Sequence, residues 1–151
     1  MKDDLQKLVV QYQILEANFK AMQERIDMLN ETIAEIEKTK MALEELEMTK
    51  PNKSLIPLGS GSFIPGKIEN TEDVIIGVGS GVAINKKRKD AVAVLDIRLN
   101  ELEGSLNDLT KQMTKTAFEI EKIQEEVESM QKWLNVWLLK EKAKGRNRKN
   151  F

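Results

Sequence analysis

Two long heptad repeats of apolar side chains, separated by a short segment rich in Gly, dominate this sequence. A repeat of this length predicts a coiled coil rather than a globular domain, because it keeps one narrow apolar seam facing a partner helix. The composition agrees, since charged residues make up 32% and aromatic residues only 5% of the 151 residues. We therefore expect a mainly α chain that forms a single domain, 1–151.

The first repeat predicts a helix over residues 5–50. Pro51 ends it, because the proline ring and the missing N–H cannot continue a helix. The predicted seam consists of Leu5, Leu8, Tyr12, Leu15, Phe19, Met22, Ile26, Leu29, Ile33, Ile36 and Leu43. Lys40 is the only charged residue at a seam position before Leu43.

The second repeat predicts a helix over residues 87–144, and the basic residues at its start, 86–89, are expected to form a solvated face. Its seam consists of Val92, Leu95, Leu99, Leu102, Leu106, Leu109, Met113, Thr116, Ile120, Ile123, Val127, Met130, Leu134 and Trp137. Two repeats of matching length predict an antiparallel coiled coil within the chain. If Leu43 lies beside Leu95, then Leu5 lies close to Trp133.

Apolar residues outside the two seams cluster where the free ends of the two helices should meet. A two-helix seam cannot cover all of them, so the clustering predicts a contact surface rather than scattered exposed side chains. With the seam residue Trp137, these tip residues are Val9, Val10, Ile14, Trp133, Val136, Trp137, Leu138 and Leu139. Their use as the core of a larger bundle or as a membrane-surface anchor competes with a protein-binding site, which we favour.

A basic run follows the tip residues and keeps the membrane interpretation open. It consists of Lys140, Lys142, Lys144, Arg146, Arg148 and Lys149. Charge runs of this kind are usually solvated, so a flexible basic tail is predicted over 145–151.

The middle segment, 54–85, contains four short β-favouring runs with turns near Gly59–Gly61 and Gly79–Gly81. These runs predict two β-hairpins, which are too small to bury a core alone and therefore need partners. The expected assembly residues are Leu55, Ile56, Leu58, Phe63, Ile64, Ile68, Val74, Ile75, Ile76, Val78, Val82 and Ile84. The Gly-rich stretch is not predicted to bind nucleotide, because a strand rather than a helix follows it.

Several function classes lack the residues that they need. The absence of Cys and His excludes disulfides, Cys/His zinc sites and a histidine base, and no nucleophile, base and pocket are grouped as in an enzyme. No cofactor is expected. A net charge of −1, the lack of a signal-peptide core and the lack of a long apolar stretch predict a cytoplasmic protein without nucleic-acid or membrane partners.

The order helix, two hairpins, helix resembles the prefoldin family, and the second hairpin resembles its α class. The resemblance is most specific in Leu55–Lys67, LIPLGSGSFIPGK, and in Val74–Val82, VIIGVGSGV. It implies a hexamer of two α and four β subunits, with a β-barrel platform formed by the hairpins. It also implies an ATP-independent chaperone whose coiled-coil tips hold unfolded proteins and deliver them to a group II chaperonin. The tip residues would then bind clients.

The Trp-rich and basic carboxyl end has no counterpart in the family motif, and client contact and chaperonin docking both remain open for it. A Lys- and Glu-rich chain without Cys is compatible with a thermophilic archaeal source. A filament-forming relative or scaffold is the main alternative, because hairpin edges that join without closing give filaments. A membrane or nucleic-acid adaptor that uses the basic end is a further alternative, with salt-sensitive binding as its signature.

Overall fold

The computed structural model describes residues 2–48 and 53–147. Two long helices enclose four strands along the chain, which confirms a mainly α fold with a small β part. The elements are, in order, α1 (Lys2–Glu45), β1 (Lys53–Gly59), β2 (Ser62–Lys67), β3 (Asp73–Gly79), β4 (Val82–Lys87) and α2 (Arg88–Asn147).

The helix ends differ from the predicted bounds for local reasons. α1 extends from Lys2 to Glu45, and Asp3 and Asp4 in its first turn interact favourably with the helix dipole. α2 continues through Asn147, with Lys144 and Arg146 at the favourable carboxyl end. Residues 145–147 of the predicted flexible tail are therefore helical, and residues 148–151 lie outside the described part of the chain.

The structure divides into two compact units, and each helix contributes to both. One unit combines Met1–Asp27 with Asn107–Phe151, and the other is Met28–Leu106. In both units the seam positions predicted from the heptads are the half-buried or buried ones, with Trp137 as the exception. The apolar repeat therefore forms an antiparallel helix pair within the chain.

In the first unit a polar network fixes the pairing of the two helices. Gln124 Nε2 donates a hydrogen bond of 3.0 Å to the Tyr12 hydroxyl, which donates one of 3.0 Å to Glu16. Ile123, beside Gln124, is among the few buried apolar residues, with 7% of its surface exposed. The aromatic seam residue Tyr12 thus also carries the polar contact that fixes this register.

In the second unit the single charged seam residue finds an ionic partner. Lys40 Nζ lies 2.6 Å from Asp96 Oδ1, and the contact raises the pKa of Lys40. A lysine in a coiled-coil seam favours the register that gives it this partner over registers that bury it against apolar groups.

The most buried part of the chain is the beginning of α2. Arg88, Ala91, Leu95 and Leu99 are buried, at spacings that place them on one side of the helix. The expectation that Arg88 is solvated is wrong, since only 3% of it is exposed. Its guanidinium lies 3.5 Å from Glu47 and donates a 3.5 Å hydrogen bond to the Leu43 carbonyl in the last turn of α1. Burial results because the chain turns directly from β4 into α2 beside α1.

The two hairpins repeat the same geometry. β1 pairs with β2 and β3 with β4, both antiparallel, with Ile56 opposite Ile64 and Ile76 opposite Ile84. Each ladder has one irregularity before a Gly-Ser-Gly turn. The φ angles at Gly59, Ser60 and Gly61 are 105°, 49° and 74°, and those of the second turn differ by no more than two degrees. The central residues of the two turns are Ser60–Gly61 and Ser80–Gly81, and their positive φ angles match the right-handed twist of a hairpin. Glycine adopts such angles without strain.

Candidate protein-binding surfaces

The two equivalent hairpins differ in what covers them. In the second hairpin the cross-strand pair Ile76–Ile84 is half-buried. The equivalent pair of the first hairpin has no such cover, with Ile56 51% and Ile64 48% exposed. An apolar pair that is covered in one repeat and bare in the other marks the first hairpin as a surface that needs a partner.

Polar contacts that the heptad pattern could not indicate attach the second hairpin to α2. Arg98 Nη2 donates a hydrogen bond of 2.6 Å to the Gly77 carbonyl in β3. The amide of Arg88, the first residue of α2, donates one of 2.8 Å to the carbonyl of Glu72 just before β3. These two hydrogen bonds hold the second hairpin against the first turns of α2, and its Ile76–Ile84 pair is half-buried.

An ion pair closes the open end of the second hairpin. Lys87 Nζ lies 2.6 Å from Asp73 Oδ1, across the last pair of the ladder. Hydrogen bonds from Lys87 and from Asn70 lower the pKa of Asp73, and the hydrogen bond to Asp73 raises the pKa of Lys87. The equivalent pair in the first hairpin is Lys53 and Lys67, two like charges, so no ion pair can form there.

Most of the residues expected to assemble subunits are exposed in the isolated chain. The exposed ones are Leu55, Ile56, Leu58, Phe63, Ile64, Ile68, Ile75, Val78 and Val82. The half-buried ones are Val74, Ile76 and Ile84, which all lie in the second hairpin. The exposed face of that hairpin includes Ile75, whose side chain is 78% exposed. Both hairpins thus present apolar side chains and free strand edges to solvent, which is the arrangement that invites pairing with another chain.

The tip residues of α1 point in two directions. Val9 lies in a groove between the helices with Tyr12, Gln124, Val127 and Glu128. Val10 and Ile14 instead line a groove formed by residues of α1 alone, with 54% and 55% of their surfaces exposed. The first predicted cluster therefore offers two narrow surfaces rather than one.

The tip residues of α2 are all exposed. Trp133 is 53%, Val136 51%, Leu138 43% and Leu139 68% exposed. Trp137 occupies a seam position but is 46% exposed. Its indole is thus added to the exposed surface.

Both groups of tip residues belong to the same compact unit. Val9 lies beside Val127 and Glu128, so continuing along both helices brings the start of α1 level with Trp133. Outside the tip, Met41 and Met48 share one groove, and Met28, Ile97 and Phe118 are exposed at separate positions. The tip is distinguished by the larger number of exposed apolar side chains that it groups.

The described residues also limit the chemistry of these surfaces. Within 2–48 and 53–147 no three His, Cys, Asp or Glu side chains are grouped so as to hold a metal ion. In the same part of the chain, neither helix is apolar enough over the required length to cross a membrane. The surfaces consist of apolar side chains and strand edges, which suit contact with other proteins.

Known proteins share this arrangement. A prefoldin subunit family model matches residues 15–133. Prefoldin subunit alpha of Pyrococcus horikoshii is 30% identical over 131 residues, covering 81% of this chain and 88% of that protein. Prefoldin subunit alpha of Thermococcus onnurineus is 35% identical over 101 residues, covering 66% and 69%. A filamentous PFD from Methanocaldococcus jannaschii has a similar fold, with a TM-score of 0.68 at 20% identity over 80% of this chain and 98% of that one. With helices and hairpins in this order, the chain belongs to the prefoldin subunit family.

Proposed function

We propose that this chain is the α-class subunit of an ATP-independent holdase, which binds unfolded proteins through its tip residues and delivers them to a group II chaperonin in the cytoplasm. The family consists of chaperone subunits that assemble with one another. The observation that carries the proposal is the grouping of exposed apolar side chains at the tip.

The chemistry of the tip suits clients of many sequences. Burial of apolar area is non-directional and contributes about 25 cal/mol per Å2, so it requires no particular client sequence. Val9, Val10 and Ile14 line open grooves rather than an enclosed pocket that would select one ligand. Several such weak surfaces on one assembly would hold a client by effective concentration, while each contact stays releasable.

The hairpins would supply that assembly. In this proposal the bare Ile56–Ile64 face and the free strand edges pair with β subunits in a hexamer of two α and four β chains, with a β-barrel at its centre. The exposed apolar assembly residues support this role, because hairpins of this size need partners to bury them. Salt-tolerant formation of a complex of discrete mass with a β subunit would agree with it.

Aggregation of an unfolded client in the presence of the assembled protein tests the tip. The triple variant Val10→Ser, Trp133→Ser and Leu139→Ser should lose most of the protection while the assembly keeps its mass. The matched control is Met28→Ser, Ile97→Ser and Phe118→Ser, which removes side chains of similar exposure outside the tip. Equal protection by the two variants would refute client binding by the tip.

Filament formation is the second candidate function. It draws support from the two equivalent hairpins, which let one chain join two neighbours, and from the similar fold of the filamentous PFD. The solution mass of the chain alone and with a β subunit separates the two functions. Open-ended assemblies of this chain alone favour the filament, and a discrete complex that requires the partner favours the holdase.

A further inference from the structure

The described part of the basic run after the tip residues, 140–146, is helical and exposed, and the proposed client contact does not use it. Lys140, Lys142, Lys144 and Arg146 all extend into solvent from the last turns of α2. The only acidic side chain within 140–146 is Glu141, whose carboxylate lies 4.0 Å from Lys144 Nζ. This end of α2 is therefore locally basic in a chain whose net charge is −1.

The cations continue the apolar faces of the tip along the helix axis. Trp133, Trp137, Lys140 and Lys144 follow one another at steps of four and three residues, so they lie on one face of α2. On the other side, Leu138 and Leu139 are followed one and two turns later by Lys142 and Arg146. Both faces thus change from apolar to cationic in the same direction.

We propose that this end of α2 selects unfolded segments in which an apolar cluster is directly followed or preceded by Asp or Glu side chains. The inference rests on the proposed client function and adds a substrate class to it. An extended segment laid along α2 places its apolar residues on the indoles and leucines and its carboxylates beside the cations. Charge complementarity of this kind affects specificity and the rate of association more than total affinity.

The axial arrangement distinguishes this use from binding to a membrane surface. A helix that lies in a bilayer interface separates apolar and charged residues around its circumference, on opposite faces. Here the separation runs along the axis, and both faces carry both kinds of residue. The apolar part, 133–139, is also far shorter than the roughly 20 residues needed to enter a bilayer as a spanning helix.

The chain carries its own probe for the test. Its only two Trp residues, Trp133 and Trp137, are both tip residues, so the indole emission of the full chain reports binding at this place. Two Trp-free peptides are compared, one with a Leu/Val-rich segment followed by glutamates and its twin with glutamines. At low salt we expect a Kd about tenfold lower for the glutamate peptide, because exposed ion pairs each contribute little and several act together. Added salt should remove the difference.

A charge-neutral variant locates the effect. Lys140→Gln, Lys142→Gln, Lys144→Gln and Arg146→Gln together should abolish the preference and leave the affinity for the glutamine peptide unchanged. The matched control removes three lysines and one arginine from other exposed positions of the same unit. It consists of Lys20→Gln, Arg25→Gln, Lys111→Gln and Lys115→Gln, which should keep the preference.

The outcomes separate this inference from the function on which it rests. Equal affinity of the unmodified chain for the two peptides would overturn the charge preference and leave client binding intact. Binding of neither peptide, together with full client protection by the tip variant, would overturn both the charge preference and client binding by the tip. Tighter binding to phosphatidylserine vesicles than to the glutamate peptide, lost in the charge-neutral variant, would overturn the inference in favour of a membrane. The salt titration on the unmodified chain keeps the test valid if a variant fails to fold.

Discussion

Truncation of Leu95 is the most direct test of the packing at the beginning of α2, beside the second hairpin. Leu95 is 4% exposed and lies among the buried residues at the beginning of α2, where α1 and the second hairpin meet the helix. Ile97, two positions along, is 59% exposed on the same helix. The change of each residue to Ala removes the same number of side-chain carbon atoms, from a buried position at Leu95 and from an exposed one at Ile97.

The expected magnitudes follow from burial. Truncation of a fully enclosed Leu lowers the free energy of unfolding by about 2–5 kcal/mol, depending on how far the site collapses. Because the neighbouring seam residues are only half-buried, partial collapse is expected, and we place Leu95→Ala near 3 kcal/mol. At about 2–4 °C per kcal/mol for a chain of this size, Tm falls by roughly 6–12 °C. Ile97→Ala should stay within about 0.5 kcal/mol of the unmodified chain, because exposed substitutions have small effects and Ala is the better helix former.

Thermal unfolding followed by circular dichroism measures both variants. Chain and partner concentrations are held equal, because assembly stabilises the folded chain by mass action. A fall in Tm for Ile97→Ala as large as that for Leu95→Ala would refute the packing, since it would mean that the face carrying Ile97 is the covered one. A full loss of folding with Leu95→Ala is resolved with Leu95→Met, which should change stability by less than about 1.5 kcal/mol.

Two further predictions concern single positions. Gly104→Ala should raise the free energy of unfolding in urea by about 1 kcal/mol, because a Cβ there meets open space in mid-helix. Gly79→Ala should lower it by at least about 1 kcal/mol, because φ at Gly79 is +106°. A lower free energy of unfolding for Gly104→Ala would mean that this outer face is covered. The Asp73–Lys87 pair should make the second hairpin sensitive to acid, because it lowers the pKa of Asp73 below its usual 3.8. The stability that the pair contributes is fully present above pH 3.8 and is lost as pH falls through the lowered pKa. Asp73→Asn should therefore flatten the acid limb of unfolding measured between pH 5 and pH 2, and an unchanged limb would contradict the role of the pair.

The fold was predictable because its signals are local and periodic. A heptad repeat specifies which residues face the partner helix, and Gly-Ser-Gly between β-favouring runs specifies a hairpin turn. The seam positions from Leu5 to Leu134 are accordingly half-buried or buried in both helices. The exposed grouping of the tip followed from the same repeat, since residues outside a seam remain in water.

The differences arise where two distant segments meet. The burial of Arg88 depends on Leu43 and Glu47 of α1, which no local charge pattern indicates. Trp137 is exposed although it continues the seam, which the repeat in α2 does not indicate. The contact between Arg98 and Gly77 joins a helix to a strand, and neither a period of two nor one of seven predicts it.

Two hairpins of matching turn geometry would give the chain the character of a bifunctional monomer in the sense of polymer chemistry. If each hairpin joins one neighbour, a chain with two hairpins extends an assembly, whereas a subunit with a single hairpin terminates it. The molar ratio of the two kinds of subunit would then set the mean size of the assembly, as the ratio of linker to chain stopper does in a step-growth polymer. Expression level, rather than any change in the hairpin sequence, would be sufficient to move the same chain between small closed complexes and long fibres.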